Sequence, residues 1–300
     1  MEKLKIDIVK ENLQQLRNES LIKVKESGIF DDFILQNDID DQEILSNMSK
    51  FLKVMEEMES CNGCKNIQSC KKSNKGICLS LSINDEGEID YILKPCALYA
   101  KTLKINNGYY ARDFDENNLD YDLKDTLNPD YADSRKRLIA SLKNIIKTNN
   151  SVGVYLYGSR QCGKTFIMSV FSKTLIDRNK CKVAYLDTPN RIRELNDLYF
   201  INKDAFQEEL NNLINVDVLI LDDFGNEYKN EIVRDNIVFP LLNERLRKHL
   251  LTCFVSSYSL NDIIKMYSLK DNKSPKATQL GEVIQLLSNE IKIESIPFRK

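Results

Sequence analysis

The stretch that most constrains this chain is GSRQCGKT, residues 158–165, which follows the pattern G-x-x-x-x-G-K-T. An apolar run, residues 152–157, precedes it, and residues 166–178, with helical spacing, follow it. Strand, glycine-containing loop and helix are the context that a phosphate-binding loop requires. The alternative, an ordinary turn before a helix, leaves this combination of residue types and neighbours to chance. The pattern therefore predicts an α/β nucleotide-binding domain.

The residue types in the loop fit phosphate chemistry. Backbone N–H groups point into such a loop, and glycines allow the phosphates to come close. The N-terminus of the following helix adds its positive end. Lys164 is expected to reach the β- and γ-phosphates, and the Thr165 hydroxyl to ligate Mg²⁺. The predicted phosphate-binding residues are Gly158, Ser159, Arg160, Gln161, Cys162, Gly163, Lys164 and Thr165.

A second stretch, VDVLILDD at residues 216–223, is an apolar run that ends in two carboxylates. A buried parallel strand reads as a nearly continuous apolar run, and ligands bind at the carboxyl ends of such strands. We expect Asp222 to hold Mg²⁺ through water and Asp223 to orient or deprotonate an attacking water. The alternative is a strand that runs into an acidic turn, and the phosphate-binding loop argues against it.

Length and composition set the wider limits. The chain has 300 residues, enough for two domains, and a formal net charge of −2, so any DNA contact would need a local basic patch. No apolar run is long enough to span a membrane, and the N-terminus lacks the apolar segment of a signal peptide. We therefore expect a cytoplasmic protein. His249 is the only histidine, which argues against histidine-based catalysis.

Five of the eight cysteines lie between residues 61 and 96. A C-x-x-C pair places two thiolates on one knuckle, and residues 79–93 are expected to form a hairpin whose base brings two later cysteines together. We predict a structural Zn²⁺ site, with Cys70 as a fifth candidate for its four positions. A redox C-x-x-C pair and unbound free cysteines are the alternatives. The predicted ligands are Cys61, Cys64, Cys78 and Cys96.

The pattern divides the chain into three parts. Residues 1–105 are predicted to be a helical and cysteine-rich domain, and the helices serve either as a self-contained bundle or as a partner-binding module. Residues 106–133 are polar and acidic, which is typical of a linker. Residues 134–300 alternate strands with helices, which predicts a parallel sheet with right-handed crossovers.

The residues after the second strand resemble those of bacterial helicase loaders of the DnaC/DnaI type, which are AAA+ ATPases. The resemblance rests on the run at 219–227, on Arg234-Asp235, and on the segments 242–245 and 252–259. The cysteine-rich module ahead of the ATPase domain adds to it. The resemblance implies ATP binding, weak ATPase activity and a role in primosome assembly during replication initiation or restart.

The partners that the resemblance implies are a replicative hexameric DNA helicase, which the zinc module would contact, and single-stranded DNA, which the ATPase domain would contact. Other primosome proteins and self-association during assembly are further possibilities, and no membrane is involved. A transposition-helper ATPase of the IstB kind is an alternative, although that family lacks the cysteine module. A nucleotide-binding adaptor with little or no hydrolysis is another.

The sequence departs from the family pattern in two places. Ser257 stands where the family usually has an asparagine that senses the γ-phosphate, and a shorter hydroxyl would reach it through a water. Residues 277–284 lack the arginine that reaches a neighbouring subunit's ATP, which would cost about 10³-fold or more in rate. Arg299, Arg234 and Arg245 are candidates to replace it. We expect catalysis to rest on Asp223, Lys164 and Ser257.

Basic residues near the end of one predicted helix are candidates for contact with DNA phosphates. Arg245, Arg247 and Lys248 follow one another closely there. A solvated helix face explains the same pattern and is the favoured interpretation. The sequence predicts no base-specific readout.

Overall fold

A computed structural model of the chain describes residues 2–64, 67–126, 133–269 and 274–294, with the backbone alone for residues 2–13. The chain forms two compact units, residues 1–103 and 104–300. Among the residues described, no helix combines the length and apolar character needed to cross a membrane.

The first unit joins four helices to a hairpin. The helices are α1 (Glu2–Glu26), α2 (Asp31–Gln36), α3 (Asp41–Ser46) and α4 (Met48–Glu59), and the antiparallel strands are β1 (Ile77–Ile83) and β2 (Ile89–Pro95). Their core includes Phe30, Ile44 and Phe51 from the helices and Leu81 and Ile89 from the hairpin. The predicted helical segment and the predicted hairpin are both confirmed.

The second unit is built on a parallel sheet. In the part of the chain that the structure describes, this sheet has six strands in the order β3-β5-β6-β7-β4-β8. The strands are β3 (Tyr109–Arg112), β4 (Gly153–Tyr157), β5 (Val183–Asp187), β6 (Val218–Phe224), β7 (Leu251–Ser256) and β8 (Ser288–Lys292).

Helices cover the sheet and complete the α/β architecture. They are α6 (Asp133–Thr148), α7 (Lys164–Asn179), α8 (Thr188–Ile201), α9 (Lys203–Asn215), α10 (Phe239–Arg247), α11 (Leu260–Tyr267) and α12 (Pro275–Leu287), while α5 (Ala97–Asn107) spans the boundary between the two units in the chain. Successive residues of the central strands belong to two different core clusters. Because side chains alternate across a strand, these clusters lie on opposite faces of the sheet. The predicted α/β fold with a parallel sheet is confirmed.

The linker predicted for residues 106–133 is wrong for the part that the structure describes. β3 pairs in parallel with β5 at the edge of the sheet, and Tyr109 is buried with its hydroxyl 2.8 Å from Ser172 Oγ. Phe114 packs edge-to-face on Tyr185. A four-residue edge strand in a polar stretch gives too short an apolar pattern to be recognised in the sequence. Residues 127–132 lie outside the described residues.

The helical segment before β7 carries a π-helical turn directly ahead of Pro240. Residues Val233–Val238 form a π-helical turn, in which the Phe239 N–H donates to the carbonyl of Arg234, and α10 begins at Phe239. Proline has no N–H to give to the preceding turn, so the ladder changes its spacing just ahead of it.

Candidate functional site

A cavity of about 350 Å³ lies at the carboxyl ends of the central strands. This is where open α/β sheets bind ligands. The cavity brings together residues from the glycine loop, the acidic strand and the segments after β3, β5 and β7. Its lining residues are Asp113, Arg160, Gln161, Lys164, Thr165, Asp187, Asp222, Asp223, Val255, Ser256 and Ser257.

The loop between β4 and α7 has the backbone shape that a phosphate-binding loop needs. Gly163 has φ +84°, a left-handed conformation that favours glycine, and α7 begins at the next residue. A Cβ at Gly158 would lie 2.3 Å from the carbonyl oxygen of Ile293, so only glycine fits there. Cys162, within the loop, is buried. The predicted strand, loop and helix are therefore all present in the predicted order.

Lys164 lies inside this loop with only 8% of its surface exposed. Its Nζ donates to the carbonyl oxygens of Gly158 at 2.8 Å and Ser159 at 2.7 Å. An ammonium group with three donors can exchange such contacts for phosphate oxygens. The lysine is thus held at the place from which a bound phosphate would be contacted.

Asp222 and Thr165 are brought together, as their predicted shared role at Mg²⁺ requires. Burial raises the pKa of the Asp222 carboxyl, and hydrogen bonds from the Tyr185 and Thr165 hydroxyls partly offset that rise. The Tyr185 hydroxyl donates to Asp222 Oδ2 at 2.9 Å. Tyr185 is a site residue that the sequence analysis missed, because a tyrosine within an apolar strand looks like an ordinary core residue.

Asp223 occupies the exposed rim of the cavity. Its φ of +55° lies in the left-handed region, and the pairing of β6 with β7 shifts register between Leu221 and Phe224. Aspartate tolerates this conformation better than most residues. Asn226 Nδ2 donates to Asp223 Oδ1 at 2.6 Å. The irregular backbone turns two consecutive carboxylates toward one cavity, which a regular strand would not do.

Two consecutive serines stand at the end of β7. The strand ends at the buried Ser256, whose Oγ donates to the carbonyl oxygen of Phe224 at 2.6 Å. Ser257, the predicted γ-phosphate sensor, follows it and also lines the cavity. The placement of Ser257 suits that role, while Ser256 joins β6 to β7.

Two further carboxylates, Asp113 and Asp187, were missed by the sequence analysis. The backbone N–H of Asp187 donates to Asp113 Oδ2 at 3.1 Å, and Asp187 stands directly beside Asp222 in the sheet. Asp113 was assigned to a linker, so its position in the cavity was not expected. The pairing of β3 with β5 brings Asp113 to the cavity, and the local sequence does not reveal that pairing.

Two of the arginines named as candidates for the trans-acting role are buried and hydrogen-bonded within the fold. Arg234 is buried, pairs with Asp235 at 2.7 Å and donates to the carbonyl oxygen of Tyr267. Arg245 is 0% exposed and donates to five acceptors. Neither side chain is presented to a neighbouring molecule. Arg299 lies outside the described residues.

The basic cluster proposed for DNA phosphates is also corrected. Arg245 is buried, so it lies neither on a solvated face nor within reach of DNA. Arg247 is exposed and pairs with Glu244 at 2.9 Å. Lys248 donates to Asn215 Oδ1 at 2.6 Å. Only two of the three residues remain at the surface.

The five N-terminal cysteines line one cavity of about 430 Å³ in the first unit. Cys61 Sγ and Cys78 Sγ are 3.9 Å apart, and the Tyr99 N–H donates to Cys96 Sγ at 3.4 Å. Burial and the neighbouring Cys61 sulfur raise the pKa of Cys78 to about 11. Among the described residues, no group of three or more His, Cys, Asp or Glu is arranged to hold a metal ion.

Cys70 has a different environment from Cys78. Its pKa is lowered because the backbone N–H groups of Gly76 and Lys72 donate to its sulfur, with a smaller contribution from the charge of Lys72. The pKa of Cys70 is therefore shifted in the opposite direction to that of Cys78, which shows that Cys70 does not share the environment of the Cys61–Cys78 pair.

The nucleotide-binding geometry agrees with what the chain is similar to. The sequence profile of the family described as "IstB-like ATP binding protein" matches residues 114–272, more than half of the chain. The protein belongs to this family of ATP-binding proteins.

Within that class, the chain is similar to the replicative helicase loader DnaI of Bacillus subtilis (strain 168), with 25% identity over 272 residues, 87% of this chain and 86% of DnaI. A crystal structure of DnaI superimposes with a TM-score of 0.56 at 25% identity, covering 65% of this chain and all of that one. A structure described as a putative primosome component from Streptococcus pyogenes gives 0.54 at 24% identity, covering 66% of this chain and all of that one. The DnaI-type resemblance noted in the sequence is confirmed.

Proposed function

We propose that this protein is an ATP-dependent loader that helps place a replicative hexameric DNA helicase on single-stranded DNA. The observation that carries the proposal is the extent of the similarity to the helicase loader DnaI, which covers 87% of this chain and 86% of DnaI. An alignment of 272 residues exceeds the length of the second unit, so it takes in much of the first unit as well. The similarity is therefore more than that of a shared ATPase domain.

Nucleotide binding is supported by the cavity itself. The loop at residues 158–165 would wrap the phosphates of ATP, with Lys164 exchanging its two loop carbonyls for phosphate oxygens. Thr165 and Asp222, which both line the cavity, would hold Mg²⁺. The metal would offset the charge on the phosphates during their transfer. Asp223 would orient the attacking water from the rim.

We expect slow hydrolysis by the protein alone, because residues 277–284 lack the arginine that the family uses in trans. Arg160 is the one arginine that lines the cavity among the described residues, and it belongs to the phosphate loop. A trans-acting arginine contributes about 10³- to 10⁵-fold to turnover in comparable NTPases. We therefore expect tight ATP binding with low basal ATPase activity. If ATP binds but turnover stays at the level of Asp223→Asn with and without helicase, the protein is an adaptor and not an enzyme.

The test of the whole proposal is capture of the replicative helicase of the same organism by the full-length protein, with and without ATP. We expect co-elution in at least one condition, and loading of the helicase on single-stranded DNA that Lys164→Ala abolishes. Lys265→Ala removes an exposed lysine outside the cavity and serves as the control. No capture in either condition would contradict the loader function while leaving ATP binding intact.

We further propose a structural Zn²⁺ ion in the first unit, held by Cys61, Cys64, Cys78 and Cys96. Tetrahedral thiolates about 2.3 Å from Zn²⁺ are about 3.8 Å apart, and Cys61 and Cys78 are 3.9 Å apart. The N–H of Tyr99 at Cys96 Sγ is a bond that a thiolate accepts well. We expect one zinc per chain by elemental analysis, lost in Cys61→Ser and Cys78→Ser and retained in Cys70→Ser. Equal loss in Cys70→Ser would reassign the ligands.

The family match also supports a second candidate, a transposition-helper ATPase of the IstB kind. That function requires the ATPase unit and gives no role to the cysteine cavity. Capture of the helicase by full-length protein, lost in Cys61→Ser, favours the loader. If Cys61→Ser supports the activity of a partner recombinase as well as the wild type does, the transposition-helper function is favoured.

A further inference from the structure

A chain of hydrogen bonds leads from the segment after β7 to the carboxylate of Asp223. Tyr258 Oη donates to Asn226 Oδ1 at 3.1 Å, and Asn226 Nδ2 donates to Asp223 Oδ1 at 2.6 Å. A carboxylate can only accept, so the amide nitrogen must face Asp223 and the amide oxygen must face the tyrosine. The chain therefore has one consistent direction, and each member fixes the orientation of the next.

Tyr258 is itself anchored to the sheet. Its N–H donates to the Oγ of the buried Ser256 at 3.0 Å, and its carbonyl accepts from Tyr155 Oη at 2.9 Å. Ser256 in turn donates to the carbonyl oxygen of Phe224. The tyrosine is thus tied to β4, β6 and β7, the strands whose ends build the cavity. It provides a fixed point from which a more mobile group can be held.

Asp223 is a group that needs such support. It is exposed at the rim of the cavity and has a left-handed backbone, so packing alone does not fix its side chain. With Oδ1 bound to Asn226, the second carboxylate oxygen is the one left for a water in the cavity. Neither Asn226 nor Tyr258 is among the described residues that line the cavity, so both would act through Asp223.

We propose that Asn226 is a positioning residue for Asp223, and that Tyr258 keeps the Asn226 amide in the orientation that this requires. The inference rests on the proposed hydrolysis of ATP and adds to it the residues that hold the water-orienting carboxylate. The inference also links the segment after β7 to the acidic strand β6 in a second way. Besides the hydrogen bond from Ser256 to Phe224, the side chains of Tyr258 and Asn226 join the two.

The test is steady-state ATP hydrolysis by full-length variants, with ATP affinity measured separately by a fluorescent analogue. For Asn226→Ala and Asn226→Asp we expect kcat to fall about tenfold or more, with KM and ATP affinity within about twofold. Asn226→Asp keeps the shape and can still accept from Tyr258, but where both carboxyls are ionised it repels Asp223 instead of holding it, so the pH profile of kcat should change as well as its height. Tyr258→Phe should lower kcat about threefold, and adding it to Asn226→Ala should change little more.

The control is Tyr228→Phe, a change at a 73% exposed tyrosine in the same loop, which should leave kcat unchanged. Thermal unfolding identifies any variant that fails to fold. If Asn226→Ala fails to fold, the conservative change Tyr258→Phe still tests the inference. Normal kcat in Asn226→Asp, with an active wild type, would overturn this inference alone. An inactive wild type that still binds ATP would overturn the proposed hydrolysis, and this inference with it.

Discussion

At the scale of single residues, Arg245 shows how a charge can belong to the core. Its guanidinium donates to the carbonyl oxygens at the end of α9, where Nη1 contacts Leu213, Ile214 and Val216, and to Thr252 and Leu251 of β7. These acceptors include carbonyls that the last turn of a helix leaves without intrahelical partners. The arginine therefore closes a helix end that would otherwise be buried with unsatisfied groups.

Replacing Arg245 should be costly for stability. Arg245→Met retains much of the apolar stem but leaves the acceptors unpaired, so we expect a loss of about 3–5 kcal/mol and a fall in Tm of about 10 °C or more. Calorimetry of the full-length protein measures both. Arg247→Ala, two residues along the same helix with a 71% exposed side chain, should change the free energy of unfolding by less than about 0.5 kcal/mol. A similar effect of both changes would contradict the structural role.

The hydrogen bond from Tyr185 lowers the pKa of Asp222, the carboxylate expected at Mg²⁺. The pKa of Asp222 is raised by burial and lowered by the Tyr185 hydrogen bond, so Tyr185→Phe should raise it further. Metal binding needs the ionised carboxylate, which is lost as the pH falls through this pKa. The acid limb of Mg²⁺-dependent ATP binding should therefore move to higher pH in Tyr185→Phe. Tyr199→Phe, outside the cavity, should leave that limb in place, and an unmoved limb in Tyr185→Phe would contradict the argument.

At the scale of elements, β4 carries the phosphate loop and depends on a glycine at its start. A Cβ at Gly153 would lie 2.0 Å from the carbonyl oxygen of Thr252, which is backbone of β7 and cannot move aside. Gly153→Ala should therefore separate β4 from β7, lower stability by about 2–3 kcal/mol and weaken ATP binding, as seen by calorimetry and analogue titration.

A second glycine provides the matched control for Gly153. At Gly281 in α12 the added methyl would meet the flexible end of the Ile264 side chain. Gly281→Ala should cost less because that side chain can change rotamer, and it should leave ATP binding unchanged. Equal losses at both positions would show that the contact with β7 is not the cause.

The elements also show which parts of the fold are readable from sequence. The apolar runs predicted at 152–157 and 216–223 match β4 and β6 to within about two residues, because buried parallel strands are apolar throughout. The start of α11 also carries a local signal, because Ser259 and Asp262 form a capping box there. β3 was missed because its local sequence is too short and polar to be recognised as a strand. Only its pairing with β5 makes it one.

The site divides in the same way. The loop at 158–165 and the pair Asp222 and Asp223 are readable because their chemistry is local in sequence. Asp113 and Tyr185 reach the site through strand pairing, which local patterns do not encode. The burial of Arg234 and Arg245 was not expected for a related reason, because a basic residue in a helix gives no local sign that it is buried.

At the scale of the whole molecule, the two units have separate cores. The cluster formed by Val24, Phe51, Leu81 and their neighbours lies wholly in the first unit, and the sheet and its two faces lie in the second. The cysteine cavity and the nucleotide cavity therefore belong to different cores. A change that disrupts one should leave the other able to bind its ligand.

This separation predicts the result of removing the proposed zinc. A zinc-coordinating cluster replaces apolar core in a small unit, so metal loss should unfold the cysteine region while the parallel sheet stays folded. Chelation of the full-length protein, or Cys61→Ser with Cys78→Ser, should abolish capture of the replicative helicase while the affinity for a fluorescent ATP analogue stays within about twofold. Lys164→Ala changes only the nucleotide cavity. Without ATP it should still capture the helicase, while its affinity for the ATP analogue should fall. Loss of ATP binding on chelation would mean that the units depend on each other for folding, and retention of helicase capture by the metal-free protein would place the helicase contact outside the cysteine region.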